Sequence, residues 1–502
     1  MKTTCRITAL LLALLMSGSV LAACSGDPED SPAADTSAAE TTAPAETTED
    51  PNLRKNAKDN LPADLNFNGA KLGWICQTEN TLLFSVNGGG EAKGDVVYDA
   101  VYNRTRSVEE RLGLTFDVTM KTDDWKVYGT LIESTVKAGD AIWDIIYIRG
   151  NSAIQSGRDY LFRTLEDNKY IDLDQPWWWT PAIEEMSIDG KHIRYLMGDL
   201  ILDNMNNARV IYFNKRILSD IGQDAEKLYQ MAVERKWTID EMSKMTKAAY
   251  VDVNGDGKMD QGDRMGLYVG AVGHVLALTF GQDVRTYSRD ADNYVYPDLD
   301  TDRALSCVDT IQKLLYETQG TWYVPGQNNT KIETCFAGGL SLFDISNIVS
   351  VFGESYRSME DEYGILPVPM LDDKQKEYRT LVTNSGNYAA IPVTCKNPDN
   401  IGAVLEALCA ESYRSVVEPY FEIALKTKYS SDSYSSQCLD IVRSTMYKNF
   451  LYEYEITNCG QLVYKMIINN DDTLASTYAA KVVASKEKLQ TIYDDFKANL
   501  PK

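Results

Sequence analysis

KLGWIC at residues 71–76 and WDIIYI at 143–148 are short apolar runs, and from the first to the second the hydrophobic period changes four times. Val97, Val101, Val108 and Leu112 fall on one helical face, closed by Gly113 as a C-cap. Phe116, Val118 and Met120 then alternate as in a strand. Trp125, Tyr128, Leu131 or Ile132, and Thr135 or Val136 form the next helical stripe, which Gly139 ends. The order is β-α-β-α-β, the unit of a wound α/β lobe with a mostly parallel sheet. Ligands of such sheets sit beyond the carboxyl ends of the strands. That rule points to residues 77–80 and 149–152, and within them to Glu79, Asn80, Arg149 and Asn151.

Further along, RVIYF at 209–213 and SLFDI at 341–345 read as strands, and Asp300 or Thr301 can cap a helix with Leu305, Val308, Ile311 and Leu315 inward. The last hundred residues are mostly helical, with Ile401, Val404, Leu405 and Leu408 on one face and a terminal helix near 475–498. Two α/β lobes with a helical C-terminal region fit this order. MGLYVGAVGHVLALTFGQ at 265–282 carries no Asp, Glu, Lys or Arg, yet its four glycines and His274 favour a buried strand or loop leading into a core helix over a membrane span.

The N-terminus has the layout of an export signal: Lys2 and Arg6 precede an apolar run at 7–16 that is too short to span a bilayer, and LAAC closes it at 21–24. A Cys after small residues at that boundary resembles the lipobox of bacterial lipoproteins. The resemblance implies cleavage of 1–23, a diacylglyceryl group on Cys24, and location at the extracellular face of the cell membrane. Residues 25–52 hold eight acidic residues, no basic one and nothing that could fill a core, so 24–60 is expected to be an acidic tether.

With 50 Lys and Arg against 73 Asp and Glu among 502 residues, the formal net charge is −23. Nucleic acid is therefore excluded as a partner of a basic surface. Loss of Lys2 and Arg6 with the signal takes the charge to −25, and setting the tether aside leaves about −17 on the folded body. Two histidines, His192 and His274, do not support a His-rich zinc site. Beyond Cys5 and Cys24 the seven cysteines have no disulfide-framework or metal spacing and read mostly as small buried hydrophobes.

DVNGDGKMDQGD at 252–263 matches the twelve-residue calcium loop, with Asp252, Asn254, Asp256, Asp260 and Asp263 offering side-chain oxygens, Lys258 its carbonyl, and Gly257 at the sharp sixth position. A structural Ca2+ is expected there, weakened by Asp263 in place of the usual Glu; an acidic turn without metal is the alternative. PWWW at 176–179 is an aromatic cluster of the kind on which sugar rings stack, or else core filling; successive side chains cannot all face a cleft. Trp177, Trp178, Trp322 and Tyr388 are the aromatic candidates, and Asp199, Asp344 and Asn387 join the strand-end polar group. Gly88, Gly89 and Gly90 lack the context of a nucleotide loop, and no G-x-S-x-G elbow is present.

Several segments together resemble the extracellular solute-binding proteins of ABC importers, in the sugar-binding class related to maltose-binding protein. They are Asp189-Gly190-Lys191 with Tyr195, Ile211 to Lys215 (IYFNK) with Asp220-Ile221-Gly222, KWTIDE at 236–241, FAGG at 336–339, YGILPVP at 363–369 and AAIP at 389–392. The IYFNK segment carries Phe213 as an insertion relative to the family's Y-N-K. The resemblance implies a periplasmic-binding-protein-like fold with a ligand cleft between two lobes, lobe 1 at 66–200 plus 336–382 and lobe 2 at 201–335 plus 383–502. It further implies a non-catalytic, monomeric binding subunit that delivers a carbohydrate, in the leading reading an oligosaccharide, to ABC permease subunits. The alternatives are an exported glycan-active enzyme using paired carboxylates, or a peptide-binding or adhesin variant of the same fold.

Overall fold

The computed structural model describes residues 54–77, 86, 90–154, 159–383, 386–426 and 433–500. The strands that matter here are β1 Ala70–Gln77, β2 Leu114–Lys121, β3 Ile145–Arg149, β4 Arg209–Asn214, β5 Met265–Val269, β6 Thr321–Tyr323, β7 Ser341–Asn347, β8 Tyr363–Leu366 and β9 Asn387–Ala390. The helices that matter are α1 Val96–Leu112, α2 Trp125–Lys137, α3 Leu202–Asn206, α4 Ile239–Ala249, α5 Val272–Phe280, α6 Asn329–Ala337, α7 Pro398–Ser415 and α8 Ser433–Ser444.

Lobe 1 is built on the sheet β9-β3-β1-β2. β1 runs parallel to β2 from Ala70 opposite Leu114 to Gln77 opposite Lys121, and parallel to β3 on its other side. Asp95 caps α1 by accepting from the amides of Val97 and Tyr98, and Gly113 ends it at φ 61, ψ 51, in the left-handed region that favours glycine. Trp74 is fully buried against the edges of Phe116 and Tyr147, at 5.3 and 5.0 Å. The wound β-α-β-α-β unit is thus present as the periodicity implies.

Lobe 2 is built on the sheet β8-β4-β7-β5-β6. Thr238 caps α4 through a bond from the Glu241 amide, 3.4 Å, and Trp237 just before it fills the core with its indole donating to the Pro367 carbonyl, 3.0 Å. The uncharged stretch at 265–282 resolves into β5 and α5, and no helix among the described residues is long and apolar enough to cross a membrane. In the helix Thr301–Gln312, capped by Asp300, the buried face is Ala304, Cys307, Val308 and Ile311, while Leu305 is exposed.

The division of the chain differs from the one the resemblance implies. Residues 336–382 supply β7 and β8, which pair with β4 in lobe 2 and not in lobe 1, Tyr212 lying opposite both Asp344 and Ile365. In the other direction, 383–502 does not all belong to lobe 2. β9 pairs antiparallel with β3, and α7 packs on α1, where Arg104 donates to Ser412 at 3.1 Å. The cause is hydrogen-bonding need: central strands require partners on both edges, and a buried Glu406 inside α7 requires the donors that only lobe 1 offers. None of the seven cysteines of the folded body is in a disulfide, and six of them are buried.

Candidate functional site at the lobe crossing

The parallel strands of both sheets end at the place where the chain passes between lobes, and polar side chains collect there. On the lobe 1 side, Arg149 ends β3 directly opposite Asn387, the first residue of β9. The Asn387 side chain donates to Asp203, 2.6 Å, and Asn204 on α3 donates to the Asn387 carbonyl, 2.7 Å. Gly386 is required at this turn: a Cβ would lie 2.1 Å from Asn204 Oδ1. Behind it, the buried Lys448 donates to the Thr383 carbonyl at 2.9 Å and pairs with Glu453 at 3.3 Å, and Glu453 accepts from Tyr388 at 3.1 Å.

On the lobe 2 side, Arg209 is the first residue of β4 and lies opposite Asn347, the last residue of β7. The crossing itself is tied by an antiparallel bridge between Ala208 and Val382 and by the Ile348 amide donating to the Ala208 carbonyl, 3.1 Å. The Arg209 guanidinium lies under the start of α5, where a Cβ on Gly273 would be 2.1 Å from its Nη2. Asp344 projects from β7, fully buried, and accepts from the Tyr356 hydroxyl.

Hydrogen-bonding capacity at this crossing exceeds what the protein satisfies. Oδ1 of Asn204, Asn347 and Asn387, Oδ1 of Asp344, and Nε and Nη1 of Arg209 are buried without a hydrogen-bond partner. Folded proteins leave few such groups, because each costs about 1–3 kcal/mol. Convergent amides, a carboxyl and a guanidinium between two lobes make a surface able to bind a hydroxyl-rich solute.

Of the sequence candidates, Arg149 and Asn387 meet at this edge, with Asn151 half-buried two residues beyond Arg149, while Asp344 is buried within the lobe 2 sheet opposite Tyr212. Glu79, Asn80 and Cys24 lie outside the described residues. Four candidates are corrected to structural roles. Trp177 and Trp178 are buried in lobe 1, both indoles donating to Glu406, at 2.9 and 2.8 Å. Asp199 is fully buried between the Trp179 indole, 3.2 Å, and the Arg443 guanidinium, which joins α8 to lobe 1. Tyr388 is packed against Tyr195 with its hydroxyl on Glu453. In each case internal partners hold the polar atom and leave no face for a solute. Trp322, on β6 opposite Tyr268 of β5, lines a cavity of about 130 Å³ with Tyr268, Gln261, Gln327, Lys331 and Cys335.

Arg209, Asn204 and Asn347 are absent from the sequence candidates. The available signal was an Arg at the head of an otherwise apolar strand, next to NMNNA at 204–208.

Burial pushes the Glu406 carboxyl up to about 7 against the opposing pull of the two indoles, and burial likewise pushes Asp344 up to about 7. A raised folded pKa contributes stability that is complete below the unfolded value near 4 and is lost as pH rises through 7. Acting the other way, Asp59 is held below the usual carboxylate range, because Arg111 and Arg414 outweigh its burial, so its contribution is lost in strong acid. The expected result is a thermal midpoint higher at pH 5.5 than at pH 7.5, with the difference reduced in Glu406→Gln; calorimetric scans across that range check it.

The loop at 252–263 is closed by its own hydrogen bonds. Asp252 accepts from the Gly255 and Gly257 amides at 2.7 and 2.8 Å, and Asp263 from the Val253 and Asp260 amides at 3.0 and 3.1 Å. Asn254, Asp256 and Asp260 each accept from an amide two residues on, at 2.9, 2.8 and 2.8 Å. Among the described residues no three His, Cys, Asp or Glu side chains are gathered closely enough to hold a metal ion.

No protein-family model and no curated protein matches the sequence. Solved structures do match the fold. UspC of Mycobacterium tuberculosis aligns with 83% of this chain and 100% of its own at a TM-score of 0.53 and 12% identity. The galacto-N-biose and lacto-N-biose I-binding protein of an ABC transporter from Bifidobacterium longum, solved with lacto-N-biose, covers 85% of this chain and 98% of its own at 0.52 and 12%. The GacH receptor of Streptomyces glaucescens, solved unliganded and with acarbose, covers 84% and 99% at 0.51 and 10%. The chain has the two-lobe fold of these proteins.

Proposed function

We propose that this chain is a non-catalytic solute-binding subunit of an ABC importer that holds a carbohydrate between its two lobes. One observation carries the reading: unmet buried hydrogen-bonding groups from both lobes converge at the crossing of a two-lobe α/β fold. Support comes from the fold shared with the lacto-N-biose-binding protein and GacH. An oligosaccharide that contacts both lobes would favour a closed form, because it makes contacts the open form cannot. In the same reading the protein is a monomer, is anchored by a lipid on Cys24 at the extracellular face of the membrane, and delivers its solute to permease subunits. A thermal-shift screen over mono- and oligosaccharides, peptides and polyols is expected to show a rise in midpoint with a saccharide, and scattering to show compaction with it. Cleavage of labelled glycans by the purified protein would instead establish an enzyme.

Calcium belongs to the same proposal as a separate element. Asp252, Asn254, Asp256, Asp260 and Asp263, with the Lys258 carbonyl, would hold it. Calorimetric titration of EDTA-treated protein is expected to show uptake of one Ca2+ with an affinity of about 10⁻⁴ to 10⁻³ M; no uptake removes the metal from the account.

A further inference from the structure

Arg209 is more than nine-tenths buried, and its guanidinium makes no hydrogen bond and no ion pair among the described residues. A buried cation without a partner is costly, whereas one completed by an anion forms the strongest class of hydrogen bond. The carboxylates nearest in charge are engaged elsewhere: Asp344 with Tyr356, and Glu333 with the hydroxyls of Ser346 and Ser350, both at 2.8 Å. Asp344 and Glu333, with the Tyr452 hydroxyl, are the groups whose charge bears on Arg209, and none of them closes on it.

The second observation is the element above this guanidinium. α5 begins at Val272 with no side-chain cap: the Ala271 carbonyl accepts from the His274 amide, 3.0 Å, and no side chain of Ala271 can accept from the Val272 or Gly273 amides, which stand at the positive end of the helix dipole. Gly273 in that first turn is what admits the guanidinium, since a Cβ there would clash with it. The guanidinium and the uncapped helix start thus lie together at the end of β5 and β7.

We propose that the solute is an anionic saccharide, and that Arg209 with the first turn of α5 binds its carboxylate or phosphate group. This rests on the solute-binding reading above and specifies its substrate class. A body near −17 repels anions at long range, so the positive charge needed to retain one must be concentrated at the site, as Arg209 and the helix start concentrate it. The source of such a solute would be a reaction that releases acidic fragments from an extracellular polymer, or one that leaves a phosphate on a sugar.

The test is calorimetry on the mature chain with four probes: cellobiose, cellobiouronic acid, glucose and glucose 6-phosphate. The expected result is that one acidic probe binds at least tenfold tighter than its neutral counterpart, and which one distinguishes carboxylate from phosphate. In Arg209→Met that preference is expected to vanish, the acidic probe binding no tighter than its neutral counterpart; Arg209→Lys, which keeps the charge and loses the planar fork, retains part of it. Equal or tighter binding of the neutral probes by the wild-type chain overturns the anionic assignment and leaves the solute-binding reading standing. Undiminished preference in a folded Arg209→Met overturns the role of Arg209. Binding of no saccharide in the wider screen overturns both readings. Should Arg209→Met not fold, Gly273→Ala tests the same geometry, with loss of the preference expected and its retention contradicting the proposal.

Discussion

Replacing Trp177 by Ala is expected to destabilise the protein by about 3–5 kcal/mol, the range for removing a fully buried large aromatic side chain. The indole is inaccessible to solvent, lies 6.1 Å from the Tyr413 ring and donates to Glu406. Its loss leaves a cavity in lobe 1 and removes one of the two indole donors on a buried carboxyl, the other being Trp178. The same residue would behave differently as a platform for a sugar ring. A cleft aromatic truncated to Ala would abolish solute binding with little change in midpoint, since an exposed ring adds little to folding stability. Denaturant unfolding of the variant, together with saccharide titration of the fraction that folds, separates the two roles. The structural role requires a large fall in unfolding midpoint and near-normal affinity. Glu406→Ala is expected to fall in the same direction, because it strands two indole N–H groups at once.

The second large effect concerns Lys448 and Glu453. The pair is almost wholly inaccessible, with its two side chains 1% and 0% exposed, and it holds Thr383 and Tyr388 on either side of the lobe crossing. Glu453→Ala leaves an ammonium group buried without its counter-charge, a change that costs about 3–5 kcal/mol. Burial already pushes Lys448 below the usual lysine range, with Glu453 opposing that shift, so removing Glu453 frees the Lys to lose its proton. The double variant Lys448→Met with Glu453→Leu is expected to recover most of the lost stability, because two apolar side chains need no compensation. Urea unfolding of the two single variants and the double variant completes the cycle. A double variant as unstable as the sum of the singles would show that these groups do not act as a pair.

Lobe 1 is the more legible part of the fold. Its strands and helices alternate in consecutive order, so period, caps and glycine stops locate 71–76, 97–112 and 143–148 close to where β1, α1 and β3 lie. Lobe 2 is assembled from strands far apart in the chain, and periodicity along the chain carries no information about which distant strand will pair. That is why SLFDI at 341–345 is recognisable as a strand while its sheet is not: its partner β4 lies more than a hundred residues earlier. The same limit governs the site. Arg149 and Asn387 could be chosen by position beside strand ends, yet their meeting depends on β9 returning antiparallel to β3. The tryptophans at 177–179 show the converse, since their aromatic character is plain in the sequence, whereas their orientation follows from Glu406, more than two hundred residues later.

The amino-acid sequence alone determines the acidic character of the body, the local α/β alternation, the helix caps and the acidic loop, because each depends on residues within a few turns of one another. Tertiary structure alone determines the lobe to which each late segment belongs, which aromatics are core, and that a guanidinium at residue 209 is buried under an uncapped helix start. The physical reason is that burial and hydrogen-bond satisfaction are properties of what surrounds a side chain, and here most of those surroundings come from distant parts of the chain.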